Sequence, residues 1–190
     1  MVVPKKQIGI GLVGAGRMGS LRAHLSATSP QVDFLAISDI DKEKAKGLAQ
    51  QTEAAFFSDD NKAVIEHPNV GAVIVSTPEG EHTEWICLAL ENQKPVLVEK
   101  PIALSLKDAD KILEIQKKTG TELYIGYTQR LRRKFLSVKE HIQDGRLGKV
   151  MSGRLCIYNP MSVAKQVYQR APHASPISDA LTYMADMALW

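Results

Sequence analysis

The stretch from Gln7 to Gly19, QIGIGLVGAGRMG, constrains this chain more than any other. An apolar run from Ile8 to Val13 ends in Gly14-Ala15-Gly16-Arg17-Met18-Gly19, and a helical pattern follows at once. That order predicts a buried strand, a glycine turn and a helix N-terminus, the geometry that holds a dinucleotide pyrophosphate. Gly14 permits the tight turn, Gly16 lets the backbone come close to phosphate, and Gly19 lets the helix pack on the strand. Arg17 adds charge beside a diphosphate, and Met18 meets a cofactor through its backbone. Asp39 ends the next apolar run, twenty residues past Gly19, where a carboxylate accepts the hydroxyl hydrogens of an adenosine ribose. The competing reading is a plain structural glycine turn followed by an ordinary Asp at a strand end.

Strand and helix patterns then alternate. Strands are expected at Val32–Ser38, Ala54–Phe57, Gly71–Ser76, Pro95–Glu99 and Glu122–Gly126. Helices are expected at Met18–Ala27, from the Asp41 cap to Gln51, at Asn61–Glu66, at Glu81–Leu90, and from the Ser105 capping box to Lys118. Such alternation predicts an α/β fold, a doubly wound parallel sheet covered on both faces. Beyond Gly126 the rhythm changes. Leu131, Phe135, Val138 and Ile142 mark one face of a helix, Lys149–Tyr158 reads as a strand, and Asn159–Ser178 as a loop with Pro160, Pro172 and Pro176. Asp179 opens a last helical pattern. The expected organisation is a dinucleotide-binding Rossmann domain over 1–126, and the beginning of an α+β substrate and oligomerisation domain over 127–190.

Composition narrows the classes further. The chain is 44% hydrophobic and 24% charged, with no apolar run long enough for a membrane helix. No apolar segment precedes the first strand, so a cytoplasmic protein without a signal peptide is expected. Cys87 and Cys156 lie far apart and read as reduced thiols. His24, His67, His141 and His173 show no ligand spacing, so no metal is expected. The basic excess from Thr128 to Arg154 lacks interleaved aromatics and reads as a solvated helix face rather than a nucleic-acid surface.

In an open parallel sheet, ligands sit at the carboxyl ends of the strands. Ser76-Thr77-Pro78 ends one expected strand, with His82 one turn into the next helix, and Glu99-Lys100-Pro101 ends another. With these residues the chain resembles the glucose–fructose oxidoreductase / inositol 2-dehydrogenase (Gfo/Idh/MocA) family of nicotinamide-dependent oxidoreductases. The resemblance rests on the glycine turn, Asp39, Ser76 to Pro78 and, most specifically, Glu99-Lys100-Pro101. It continues in Gly126-Tyr127 with Arg130, in Leu147 to Val150, and in the spacing of Asp179, Asp186 and Trp190.

The resemblance implies NAD as cofactor, with NADP disfavoured by Asp39, and a sugar, cyclitol or related polyol as substrate. It places Ser76, Thr77, His82, Glu99 and Lys100 at the cofactor and gives Lys100 proton transfer at the substrate hydroxyl. A snorkelling surface lysine is the plain alternative for Lys100, and a surface histidine for His82. The family carries a histidine four residues after an aspartate in the helix that here holds Asp179. This chain has Tyr183 there, and some branches use a tyrosine as the proton donor or acceptor. Asp179 and Tyr183 are thus candidate catalytic residues, with an interface or core tyrosine as the alternative. A non-catalytic dinucleotide sensor of the same fold is the competing function. The resemblance also implies a chain that stops within its second domain and a homo-oligomer at full length.

Overall fold

The computed structural model describes residues 7–170 and 176–190, without the side chains of residues 164, 166, 168, 170 and 176–179. The chain forms two compact units, one through Ile125 and the other from Gly126 to Trp190.

The first unit alternates strand and helix throughout: β1 (Ile8–Val13), α1 (Arg17–Ala27), β2 (Val32–Ser38), α2 (Lys42–Thr52), β3 (Phe56–Ser58) and α3 (Asn61–Ile65). It continues with β4 (Ala72–Val75), a single turn of helix at Glu79–Glu81, α4 (His82–Glu91), β5 (Val96–Val98), α5 (Leu106–Thr119) and β6 (Leu123–Ile125). Local chemistry marks the helix ends. The Asp41 carboxylate accepts from the amides of Glu43 and Lys44 and opens α2. Ser105 Oγ accepts from the Asp108 amide at 3.1 Å and donates to its carboxylate at 2.6 Å, a capping box that opens α5. Gly120, at φ +68°, closes α5 in the left-handed region.

All six strands are parallel, in the order β3-β2-β1-β4-β5-β6. Because successive side chains point to opposite faces, the apolar runs feed two cores. Leu12, Leu35, Ile37 and Ile74 pack with Ala23 of α1 and Leu48 and Ala49 of α2. Val13, Val73, Val75 and Val98 pack with Val64 of α3, Ile86 and Leu90 of α4, and Ile112 of α5. Fully burying one such side chain stabilises by about 1.5–3 kcal/mol. The chain reverses its direction of winding between β1 and β4, which opens a crevice at their carboxyl ends.

The second unit contains a helical turn at Thr128–Leu131, α6 (Arg133–Gln143), α7 (Met161–Arg170) and α8 (Pro176–Leu189). It differs from the sequence expectation in two places. The strand expected over Lys149–Tyr158 does not form: residues 150–160 have neither helix nor strand. A strand needs a neighbour to take its backbone hydrogen bonds, and among the described residues none pairs with this stretch. The loop expected over Asn159–Ser178 holds α7 and the start of α8 instead, with residues 171–175 outside the described ones. Pro176 opens α8, where a proline loses no helical hydrogen bond, so the helix starts ahead of Asp179.

Arg130 and Asp186 form an ion pair in this unit. Arg130 Nε donates to both carboxylate oxygens of Asp186, at 2.9 and 3.0 Å, and the Asp186 side chain is only 4% exposed. The bonded carboxylate holds the Arg130 guanidinium above its usual value. Trp190 lies beneath the Lys139 ammonium, 4.0 Å from ring centroid to Nζ, and Lys139 also donates to the Trp190 carbonyl at 3.0 Å. Among the described residues no helix is long and apolar enough to cross a membrane, and no group of His, Cys, Asp and Glu could hold a metal ion.

Candidate functional site

The glycine turn closes β1 against β4. Gly14 sits at φ +96°, its amide donates to the Ser38 carbonyl at 2.8 Å, and a Cβ there would lie 2.7 Å from the Ser76 backbone. Only glycine meets both demands. Gly19 is required for a different reason, since a Cβ would stand 1.8 Å from the Gly14 carbonyl oxygen. Gly16 is unlike either. It precedes α1 with no side-chain cap, and among the described residues a Cβ on it would meet nothing within 4 Å. Nothing in the packing of the described residues calls for glycine at Gly16. The open space before an uncapped helix N-terminus, with no acidic residue in the first turn, suits an anionic ligand brought close to the backbone. Arg17 is exposed and Met18 half-buried in that turn.

Asp39 follows β2 and is half-buried. Its Oδ2 accepts from the Ala15 amide at 2.8 Å and its Oδ1 from the Asp41 amide at 2.9 Å. The carboxylate is therefore held over the glycine turn, and each oxygen retains a lone pair for a further donor.

At the carboxyl end of β4, Ser76 Oγ and Thr77 Oγ1 are buried and have no hydrogen-bond partner among the described residues. Buried hydroxyls are usually satisfied, so two orphans side by side at a sheet's ligand edge fit a polar group brought in from outside. His82, expected at the cofactor, is 1% exposed. Its Nδ1 lies 2.7 Å from the Pro101 carbonyl and its Nε2 3.1 Å from the Thr77 carbonyl. This ring ties the turn after β5 to the turn after β4, with neither nitrogen facing open space.

Glu99 and Lys100 follow β5. The Glu99 amide continues the parallel ladder to the Val75 carbonyl at 3.0 Å. Its carboxylate, 13% exposed, accepts from Arg22 Nε at 2.7 Å, with Arg22 Nη2 also 2.7 Å away. Lys100 is half-buried and joined to Pro101 by a cis peptide bond. The glycine turn, Asp39, the two hydroxyls, Glu99 and Lys100 thus occupy one edge of one sheet.

Tyr183 lies on α8, its ring edge-on to Tyr127 with centroids 6.4 Å apart. It borders a cavity of about 530 Å³ within the second unit, which Arg132, Arg154, Phe135 and Met184 also line. Asp179 belongs to α8, and its side chain lies outside the described residues.

The sequence model of the Gfo/Idh/MocA oxidoreductases, described as an oxidoreductase family with an NAD-binding Rossmann fold, matches residues 8–127. The chain belongs to this family. Among its relatives is the scyllo-inositol 2-dehydrogenase (NAD(+)) of Bacillus subtilis, 33% identical over 144 residues, which covers 75% of this chain and 42% of the relative. The inositol 2-dehydrogenase of Acidothermus cellulolyticus is 28% identical over 187 residues, 97% of this chain and 53% of the relative. A crystal structure of a probable dehydrogenase from Thermotoga maritima superposes with a TM-score of 0.71 at 31% identity, over 75% of this chain and 42% of that one. The chain spans about half the length of the curated relatives it matches.

Arg22 escaped the sequence reading of this Gfo/Idh/MocA chain, although a signal for it exists. On α1 the buried stripe is Gly19, Ala23 and Ser26, while Leu21 and Leu25 are 50% and 55% exposed. Small residues face the sheet because the helix packs close. Arg22 lies on that stripe at helical spacing, and its side chain is 15% exposed. A charged residue among small inward-facing ones implies a buried partner, which is Glu99.

Proposed function

We infer that this chain is the cofactor-binding part of an NAD-dependent oxidoreductase that moves a hydride between the nicotinamide and a hydroxyl-bearing carbon of a cyclitol, sugar or related polyol. One observation carries the reading: the Gly16 opening, the Asp39 carboxylate, the orphan hydroxyls of Ser76 and Thr77, and Lys100 share the carboxyl edge of one sheet. The names of the relatives, inositol dehydrogenases among them, support the substrate class.

In this reading residues 1–126 bind the dinucleotide and 127–190 begin the substrate domain. The amides of Arg17 and Met18 meet the pyrophosphate, and Gly16 lets them reach it. Asp39 accepts from the ribose hydroxyls through its free lone pairs. Ser76 and Thr77 offer their hydroxyls further along the cofactor. NAD, when bound, supplies the hydride acceptor. Lys100 Nζ holds the substrate hydroxyl in place and takes its proton as the C–H bond is lost. Tyr183, with Asp179 one turn before it, is the second proton-handling group, on the substrate side.

Calorimetric titration of NAD and NADP, with cyclitol oxidation followed as NADH absorbance, tests the proposal. In a full-length version, Lys100→Met should leave the NAD affinity within a few-fold and lower kcat by about 10²–10⁴, whereas this chain by itself should bind NAD and turn over little or nothing. A wild-type protein that binds no NAD would overturn the reading. NAD binding by the full-length version with no turnover of any polyol would assign the protein to the sensing class, and normal turnover in full-length Lys100→Met would take the proton-transfer role from this lysine.

A further inference from the structure

The cavity of the second unit carries charge that the proposed mechanism leaves unused. Its volume of about 530 Å³ falls within the range of small-molecule sites. Arg132 and Lys134 line it from the start of α6, and Arg154 lines it from the irregular stretch before α7. Among the described residues that line it none is acidic. No ion pair among the described residues includes any of these three cations. Asp186, the buried carboxylate of this unit, is taken by Arg130. The first turn of α6 holds no acidic residue either, so the helix dipole adds to the positive field. Lys134 Nζ lies 4.7 Å from the ring centroid of Phe135, a partner that does not neutralise it. Three cations gathered on one concave surface repel one another and attract an anion. Part of the basic excess between Thr128 and Arg154 thus converges on a cavity instead of spreading over a solvated helix face.

We propose that this cavity takes the anionic group of a polyhydroxylated small molecule, a carboxylate or a phosphate, so that the substrate is a sugar acid or a polyol phosphate. The inference deepens the functional reading of this chain and rests on it. Arg132 and Arg154 each carry a planar fork of donors that matches the oxygens of either group. Gln129 and Asn159 line the same cavity, and their amides can donate to and accept from hydroxyls beside the charged group. Tyr183, assigned to the substrate side, borders the cavity as well, so charge recognition and proton handling belong to one unit. A neutral polyol would leave the cations to water alone, whereas an anionic one gains charge-assisted hydrogen bonds.

The test uses a thiol that the cavity already contains. Cys156 lines it and is exposed, so its alkylation reports what enters, while Cys87 is buried. The chain is labelled with a neutral maleimide at constant ionic strength, in matched millimolar glucuronate, glucose 6-phosphate, glucose or myo-inositol. Glucuronate or glucose 6-phosphate should slow labelling at least about threefold, the ratio reached when free ligand is about twice its Kd. Glucose and myo-inositol should leave the rate near its unliganded value. The anion that protects at the lower concentration identifies the source, a sugar acid or a phosphate ester. Each variant is compared with its own unliganded rate. Arg132→Gln and Arg154→Gln should each weaken the protecting ligand by about tenfold or more, the loss of a charge-assisted contact. Arg146→Gln removes a charge from the same unit outside the cavity and should leave protection unchanged. Both cavity arginines are exposed, so neither substitution opens a core, and either variant suffices should the other not fold. No protection by either anion, equal protection by glucose, protection that survives in both variants, or equal loss in Arg146→Gln overturns the proposal, while NAD binding by calorimetry on the same protein stands. Wild-type protein that binds no NAD overturns the functional reading, and with it the assignment of the anion to a substrate.

Discussion

The Asp39 carboxylate and the Ala15 amide are joined by a 2.8 Å hydrogen bond that ties the end of β2 to the middle of the glycine turn. With the Asp41 amide on the other oxygen, the side chain is fixed before any ligand arrives. It cannot swing aside for a 2′-phosphate without giving up both bonds. Two unit charges near 4 Å repel by about 4 kcal/mol at an effective dielectric of 20, before Lys42 and solvent screen them. NAD should therefore bind at least about tenfold more tightly than NADP, since about 1.4 kcal/mol suffices for that ratio. Asp39→Ala should weaken NAD about tenfold and narrow the preference. Calorimetry with both cofactors measures each effect, and equal binding by wild type would mean the carboxylate faces no ribose.

The same substitution at two glycines should separate stability from binding. Gly19→Ala puts a Cβ 1.8 Å from the Gly14 carbonyl oxygen and should cost about 2 kcal/mol or more in urea unfolding. Gly16→Ala meets no neighbour and should cost no more than about 1 kcal/mol, the loss of a permissive residue ahead of the helix. Its effect should fall on NAD affinity, by about tenfold or more. A Gly16→Ala protein with unchanged affinity would show that no ligand approaches that backbone.

Tyr127 should be a late-titrating tyrosine. Burial first, and the Asp186 charge second, push its phenol above the ordinary value, partly opposed by Arg130. Above about pH 10 the unfolded chain loses this proton before the folded one. The folded state then holds more protons, so stability falls as pH rises through that window. Tyr127→Phe should lessen the alkaline loss of stability and remove a late component from the absorbance titration at about 295 nm.

The two thiols should differ in reactivity. Cys156 is exposed, whereas Cys87 is 6% exposed in the core and burial pushes its thiol upward. A chromogenic disulfide reagent should label one thiol quickly in the native protein and the other only after denaturant is added. Fast labelling of both would mean that α4 opens readily.

Much of the first unit is written in local pattern. Each strand of the sheet is an apolar run with a polar or glycine stop, and Asp41, Ser105 and Gly120 mark helix ends through chemistry that acts within a few residues. The second unit was less legible because its signals depend on distant partners. Residues 149–158 carry a strand's composition, yet composition supplies no hydrogen-bonding neighbour. Pro160 and Pro176 suggested a loop. A proline is equally at home at the first position of a helix, and Pro176 occupies that position in α8. The site shows the same division. Gly14, Gly16, Gly19 and Asp39 follow a short motif, but the Arg22–Glu99 pair joins residues far apart in the chain. The burial of His82 follows from a carbonyl nineteen positions away.

The central place of β1 governs when this sheet can be built. The first strand synthesised takes β2 on one side, and its other neighbour, β4, emerges only after β2, α2, β3 and α3 have all been made. Ile10 must wait for Ala72, and Val13 for Val75. Until then a nascent chain displays one open flank of an apolar strand, the backbone groups of Leu12 and Val13 included, to whatever else is in the tunnel exit or the cell. Parallel pairings with long intervening segments close slowly, because the loop entropy must be overcome before the contact forms. Slower translation between β1 and β4 would lengthen that interval of exposure, and chaperone demand during synthesis should track the time to Val75 rather than the time to the end of the chain.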